Sequence, residues 1–161
     1  MTEPALPSTG PAREGAPAPD FTLPSQTGGK VSLGDHKGKW IVLYFYPADD
    51  TPGCTAEACS FRDSYEDFTD AGAVVLGVSS DSVTSHTKFA EKHNLPFTLL
   101  SDEDGALRKT YGVKKTMGLL PGRVTYVIDP DGIVRKIFSN QLNAKKHIGE
   151  ALSAIHAGSA S

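Results

Sequence analysis

The stretch Trp40-Ile41-Val42-Leu43-Tyr44-Phe45-Tyr46-Pro47-Ala48-Asp49-Asp50-Thr51-Pro52-Gly53-Cys54-Thr55-Ala56-Glu57-Ala58-Cys59 holds both cysteines of the chain and spans the handover from a strand to a helix. Seven consecutive apolar residues, 40 to 46, read as a buried strand that Pro47 ends. Thr51-Pro52 has the form of an N-cap followed by a proline in the first helical turn, which sets Cys54 in that turn. Unpaired backbone N–H groups and the positive end of the helix dipole favour an anion there. A thiol in such a place is expected to fall from about 8.5 into the range of roughly 3.5 to 7.5 of activated cysteines.

Cys59 stands five positions further on. In an unbroken helix that spacing is a rise of about 7.5 Å and a turn of about 140°, so the two Cα atoms lie about 8.6 Å apart. A disulfide tolerates less than about 7 Å. Two readings stay open on spacing alone: a pair of unrelated buried cysteines, or a redox pair that bonds only when the first turns unwind.

Outward from this segment, the pattern alternates between strands and helices. Residues 1–17, rich in Pro, Ala and Gly, are expected to form a disordered N-terminal arm, with a single domain over 18–161. An N-terminal hairpin is expected from Phe21–Leu23 and Lys30–Leu33. Helices are expected over about 53–70, 82–93 and 143–156, with Phe61, Tyr65 and Phe68 facing the core. Strands are expected at 73–79 and 98–100, a short helix after Asp102-Glu103-Asp104-Gly105, and a hairpin of 124–128 with 133–138 around Asp129-Pro130-Asp131-Gly132. The implied fold class is α/β in the thioredoxin-like order, a central mixed sheet flanked by helices.

Several function classes are excluded early. A net charge of -3 offers no basic footprint for nucleic acid or an anionic membrane. Two cysteines are too few for a disulfide framework, and the N-terminal residues lack the basic and apolar regions of a secretory signal, so a cytoplasmic location is the expectation. No metal or other cofactor is expected. His36, His86, His93, His147 and His156 show no ligand spacing and read as surface histidines, while Asp49-Asp50 reads as turn and cap chemistry.

Pro47-x-x-x-Thr51-x-x-Cys54 resembles the active-site motif of peroxiredoxins, and Thr51 to Cys59 is similar to the subgroup called PrxQ or bacterioferritin comigratory protein. The similarity extends from Ala18-Pro19-Asp20-Phe21 through Arg123–Asp129 to the last helix. It implies a peroxidase reducing hydrogen peroxide and organic hydroperoxides. Cys54 would be the nucleophile, Cys59 the resolving thiol that closes an intramolecular disulfide, and thioredoxin, or in some members glutaredoxin, the reductant. Residue chemistry assigns three others: Arg123 stabilises thiolate and leaving oxygen, Thr51 holds the peroxide in line, and Pro47 shields the site. The resemblance implies that Glu57 orients an arginine through a charged hydrogen bond. In related oxidoreductases a cis-proline stands where this chain has Arg123, which points away from protein-disulfide docking. Neither the Gly-Gly-Leu-Gly run nor the Tyr-Phe helix extension of readily over-oxidised members is found. With both cysteines on one chain a monomer is expected. The competing readings are a thiol-disulfide oxidoreductase and a peroxide sensor or relay.

Overall fold

The computed structural model describes residues 12–113, 115–116, 120–121, 123–140, 143 and 145–159. Strands β1 (Thr22–Pro24) and β2 (Lys30–Ser32) form the N-terminal hairpin. They are followed by β3 (Trp40–Phe45), α1 (Pro52–Asp63), α2 (Tyr65–Asp70), β4 (Ala73–Ser79), α3 (Val83–His93), β5 (Thr98–Ser101) and α4 (Ala106–Tyr111). A two-residue pair, β6 (Lys115–Thr116) with β7 (Leu120–Pro121), precedes β8 (Val124–Ile128), β9 (Val134–Ser139) and α5 (Lys146–Ser159). The main sheet has the order β5-β4-β3-β8-β9, parallel on the β4 and β5 side and antiparallel on the β8 and β9 side. This is the mixed α/β sheet that the alternating pattern implies.

β3 is central, and its unbroken apolar run follows from burial on both faces. Trp40, Val42, Tyr44 and, just past the strand end, Tyr46 pack with Phe61, Phe68, Phe89 and Ile155 under α1, α2, α3 and α5. Ile41, Leu43 and Phe45 point the other way, against Phe21, Leu107, Tyr111 and Tyr126. Tyr44 stacks on Phe61 at 4.6 Å between ring centroids, and truncating a buried aromatic such as Phe61 to alanine costs about 3–5 kcal/mol. Gly77 of β4 makes room for that stack, since a Cβ there would stand 2.9 Å from both Tyr44 and Leu99 side chains.

Local chemistry accounts for the ends of the elements. Thr51 is the extended N-cap of α1 with Pro52 behind it. Ser82 caps α3 by accepting from the Ser85 N–H, and Asn94 closes that helix in the left-handed region at φ 51°. In the β8–β9 turn, the Asp129 carboxylate accepts from the Asp131 and Ile133 amides. The helix expected over 53–70 is two helices, interrupted at Ser64, whose φ of -103° and ψ of 8° fall in the bridge region. Phe61 and Phe68 still face one core, with Tyr65 half-buried beside them.

Of the arm expected over residues 1–17, residues 1–11 lie outside the described residues. Residues 12–17 run along the sheet. The Gly15 and Ala18 amides donate to the carbonyls of Val134 and Gly132, Val134 N–H donates to Ala16, and Pro17 bridges Ile133. Small residues bury little apolar area, but their backbone groups complete an open strand edge.

Candidate active site

Strand register assembles the site. Phe45, the last residue of β3, pairs with Val124, the first of β8, so Arg123 lies beside the point where the chain leaves the sheet for α1. Cys54 is the third residue of α1 and is buried. Arg123 Nη2 donates to Cys54 Sγ at 3.4 Å, and its Nη1 donates to Glu57 Oε1 at 2.6 Å. Gly53 permits this approach: a Cβ there would meet the guanidinium at 3.0 Å. Glu57, one helical turn after Cys54, is fully buried. Burial pushes its carboxyl up to about 8, against the opposing pull of Arg123.

A cation thus stands between a thiol and a carboxyl in a site closed to water. Such a fork suits a sulfur anion and an oxygen that gains charge as it leaves. Of the other residues that sequence singled out, Pro47 is half-buried at the strand exit. The Thr51 hydroxyl donates to the Ala48 carbonyl at 3.0 Å rather than capping the helix. Cys59 is a half-buried free thiol on the same continuous helix as Cys54.

A family model, described as the AhpC/TSA family, matches residues 15–137. The chain belongs to this peroxiredoxin family. Over 160 residues this peroxiredoxin is 52% identical to the chloroplastic peroxiredoxin Q of Oryza sativa subsp. japonica, covering 94% of this chain and 74% of that protein. Its structure is similar to that of peroxidoxin BcpB from Mycobacterium tuberculosis, with a TM-score of 0.83 at 38% identity, covering 91% of this chain and 97% of the other. It also resembles the bacterioferritin comigratory protein of Xanthomonas campestris, with a TM-score of 0.79 at 37% identity over 86% and 91% of the two chains. The PrxQ-like character read from Thr51 to Cys59 and the thioredoxin fold are therefore shown.

The peroxiredoxin site also contains residues that the sequence reading passed over. Two histidines expected at the surface, His86 and His147, are fully buried. His147 Nδ1 is 2.7 Å from the Thr125 hydroxyl and 3.5 Å from Glu57 Oε2, and its Nε2 is 2.8 Å from the Asn140 carbonyl. His86 bridges Asp49 Oδ2 at 2.7 Å and the Leu100 carbonyl at 2.9 Å. Asp49 is correspondingly no solvated turn residue. Its carboxylate also accepts from the Tyr46 and Ser85 hydroxyls, and its amide donates to Asp81. Asp50 matches the turn reading better, exposed at φ 61° and paired with Lys92 at 2.9 Å.

Two further groups feel the charge at Cys54. Arg108 Nη2 donates to the Tyr46 carbonyl at 2.9 Å; burial lowers its pKa and the neighbouring Asp102 and Cys54 pull it back up. The Tyr44 hydroxyl is buried without a hydrogen-bond partner among the described residues. Burial, with the negative charges of Glu57 and Cys54, pushes it well above the ordinary tyrosine range. Tyr44 and Arg108 carry no sequence signal of their role, because one reads as strand core and the other as a helix-end cation.

Proposed function

We propose that this peroxiredoxin reduces hydrogen peroxide and organic hydroperoxides through Cys54, and that Cys59 and an external dithiol complete the cycle. The observation that carries the reading is the Arg123 guanidinium donating to Cys54 Sγ while Glu57 holds its other nitrogen. The Cys54 thiolate attacks one peroxide oxygen and the O–O bond breaks. A sulfenic acid forms, and the other oxygen leaves as hydroxide or alkoxide and takes a proton to become water or an alcohol. Arg123 stabilises the charge at both ends of this transfer, Thr51 orients the peroxide, and Pro47 keeps water away.

Cys59 then attacks the sulfenic sulfur, releasing water and closing a disulfide within the chain. Both thiols lie in unbroken helix, about 8.6 Å apart between Cα atoms, so the first turns of α1 must unwind for this step. Thioredoxin, or glutaredoxin, supplies two thiols and two electrons to reopen the bond. Having both cysteines on one helix supports a monomeric catalyst, and a cysteine count of two supports work in a reducing, cytoplasmic setting. The Xanthomonas protein's description by its alkyl peroxide reduction activity supports the substrate class.

Stopped-flow mixing with hydrogen peroxide and an alkyl hydroperoxide tests the assignment. Cys54→Ser is expected to consume none, while Cys59→Ser reacts once and accumulates a sulfenic acid that dimedone labels. Equal first-turnover loss in both variants overturns the division of labour. Turnover by the wild type that continues only with thioredoxin and its reductase supports that reductant.

A further inference from the structure

We propose that His147 is a positioning residue of the thiol site and that His147 and Glu57 together hold one proton, on Nδ1 or on Oε2, so that the pair is neutral and does not compete with Cys54 for the charge of Arg123. The proposal rests on the assignment of Cys54 as nucleophile. The Asn140 carbonyl can only accept, so His147 Nε2, 2.8 Å away, carries a hydrogen. Nδ1 then faces the Thr125 hydroxyl at 2.7 Å and Glu57 Oε2 at 3.5 Å. Glu57 Oε2 is buried with no hydrogen-bond partner among the described residues, and an ionised carboxylate oxygen in that state is among the costliest groups to bury.

One proton resolves the conflict, held either on Oε2, with a bare Nδ1 accepting from the Thr125 hydroxyl, or on Nδ1, which then donates to that hydroxyl and stands as a cation 3.5 Å from Oε2. Charge balance points the same way. With Cys54 as thiolate and Glu57 ionised, Arg123 would face two anions on its two nitrogens. With the proton in place the guanidinium and the thiolate balance each other.

The surroundings favour the carboxyl as carrier. Burial raises Glu57, whereas burial and the charge of Arg123 lower His147. The groups around the pair are Arg123, Thr125 on β8, the Tyr44 hydroxyl on β3, which feels the charge at Glu57, and the Phe138 ring, which lies edge-on to His147 at 4.8 Å; the Cys54 thiol lies beyond Arg123. Arg123 is the cation among them, and it is engaged with Glu57 already. The sequence gives no cue to this arrangement, since His147 lies 90 positions from Glu57 (147 - 57) and shares no motif with it.

The test has two arms on the full-length reduced protein. In the first, nitrogen-15 spectra of His147 and isotope-edited infrared spectra of the Glu57 carboxyl are recorded at about pH 6. A protonated carboxyl beside a neutral ring, or an imidazolium beside a carboxylate, supports the shared proton. A neutral ring beside an ionised carboxylate overturns it. In the second arm, His147→Phe is expected to slow the first turnover by about tenfold, the factor carried by one unit of a protonation equilibrium. In a Glu57→Gln background, where position 57 is neutral without any proton, the same change is expected to cost less than about twofold. An equal loss in both backgrounds, or no loss in either, overturns the proposal. Spectra read the proton whether or not Cys54 is the nucleophile, so a failure of that assignment appears separately, as peroxide consumption by Cys54→Ser.

Discussion

The two buried histidines make an instructive pair. Each points Nε2 at a backbone carbonyl and Nδ1 at a carboxylate, His86 toward Asp49 and His147 toward Glu57. Around Asp49 the bonding is complete: two hydroxyls and an imidazole nitrogen surround the carboxylate at 2.6 to 2.8 Å. Around Glu57 one oxygen is bound by Arg123 at 2.6 Å while the other is left 3.5 Å from its nearest ring nitrogen. A saturated carboxylate is an anchor, and Asp49 ties the loop before Cys54 to α3. A half-satisfied carboxyl is electrostatically adjustable. It lies one residue away from the nucleophile, through Arg123.

The largest expected effect lies on the Glu57 side. Arg123→Ala should slow the first peroxide turnover by about 100-fold or more, the scale of removing one donor aimed at developing charge. Stopped-flow rates check this, and unchanged rates would return the reading to a thiol-disulfide oxidoreductase. On the other side, Asp49→Ala should cost about 1–3 kcal/mol in denaturant unfolding for each buried partner left unsatisfied, His86 and the Tyr46 hydroxyl first among them. In protein that remains folded, the first turnover should fall by less than about tenfold. A loss as large as that of Arg123→Ala would erase the distinction between anchor and site.

Acidity gives a finer contrast. Glu57 takes up a proton on folding wherever the pH lies between the ordinary carboxylate value and about 8. Because its folded value is raised, its contribution to stability is fully present below about 4.5 and is lost as pH rises through about 8. The stability of wild type relative to Glu57→Gln should therefore decline by a few kcal/mol across that window. Chemical unfolding at several pH values measures it, and a difference that stays flat across the window would mean that Glu57 is ionised in the folded protein. The smallest effect is conformational. Amides of Thr55 to Ser60 should exchange faster in the disulfide form than in the reduced one, with a slight loss of far-UV helical signal, while those of α3 stay protected. Identical exchange in the two redox states would mean that Cys54 and Cys59 do not bond within one chain.

Much of this could be read before any coordinates. Seven apolar residues ending at Pro47 specify a strand covered on both faces. Thr51-Pro52 specifies a helix start, and the position of Cys54 relative to that cap places the thiol among unpaired amides. These are local rules, in which residues within one or two turns decide the outcome. Arg123 was legible for a different reason, as part of a motif resemblance, and register explains it: the Phe45–Val124 pairing brings the residue before β8 to the end of β3.

Tertiary structure alone decided which titratable groups are dry. His86 lies between Ser85 and Thr87, and His147 follows Lys145-Lys146, so both look like surface residues, yet both are sealed, because their helices present them to the sheet. Asp49 and Asp50 are adjacent and chemically identical, but one is anchored inside and the other pairs with Lys92 in solvent. Sequence states which groups can ionise and where helices begin. Whether a group ionises depends on its solvation and on charges brought to it from distant positions, and only the packed fold brings Glu57, Arg123 and His147 together.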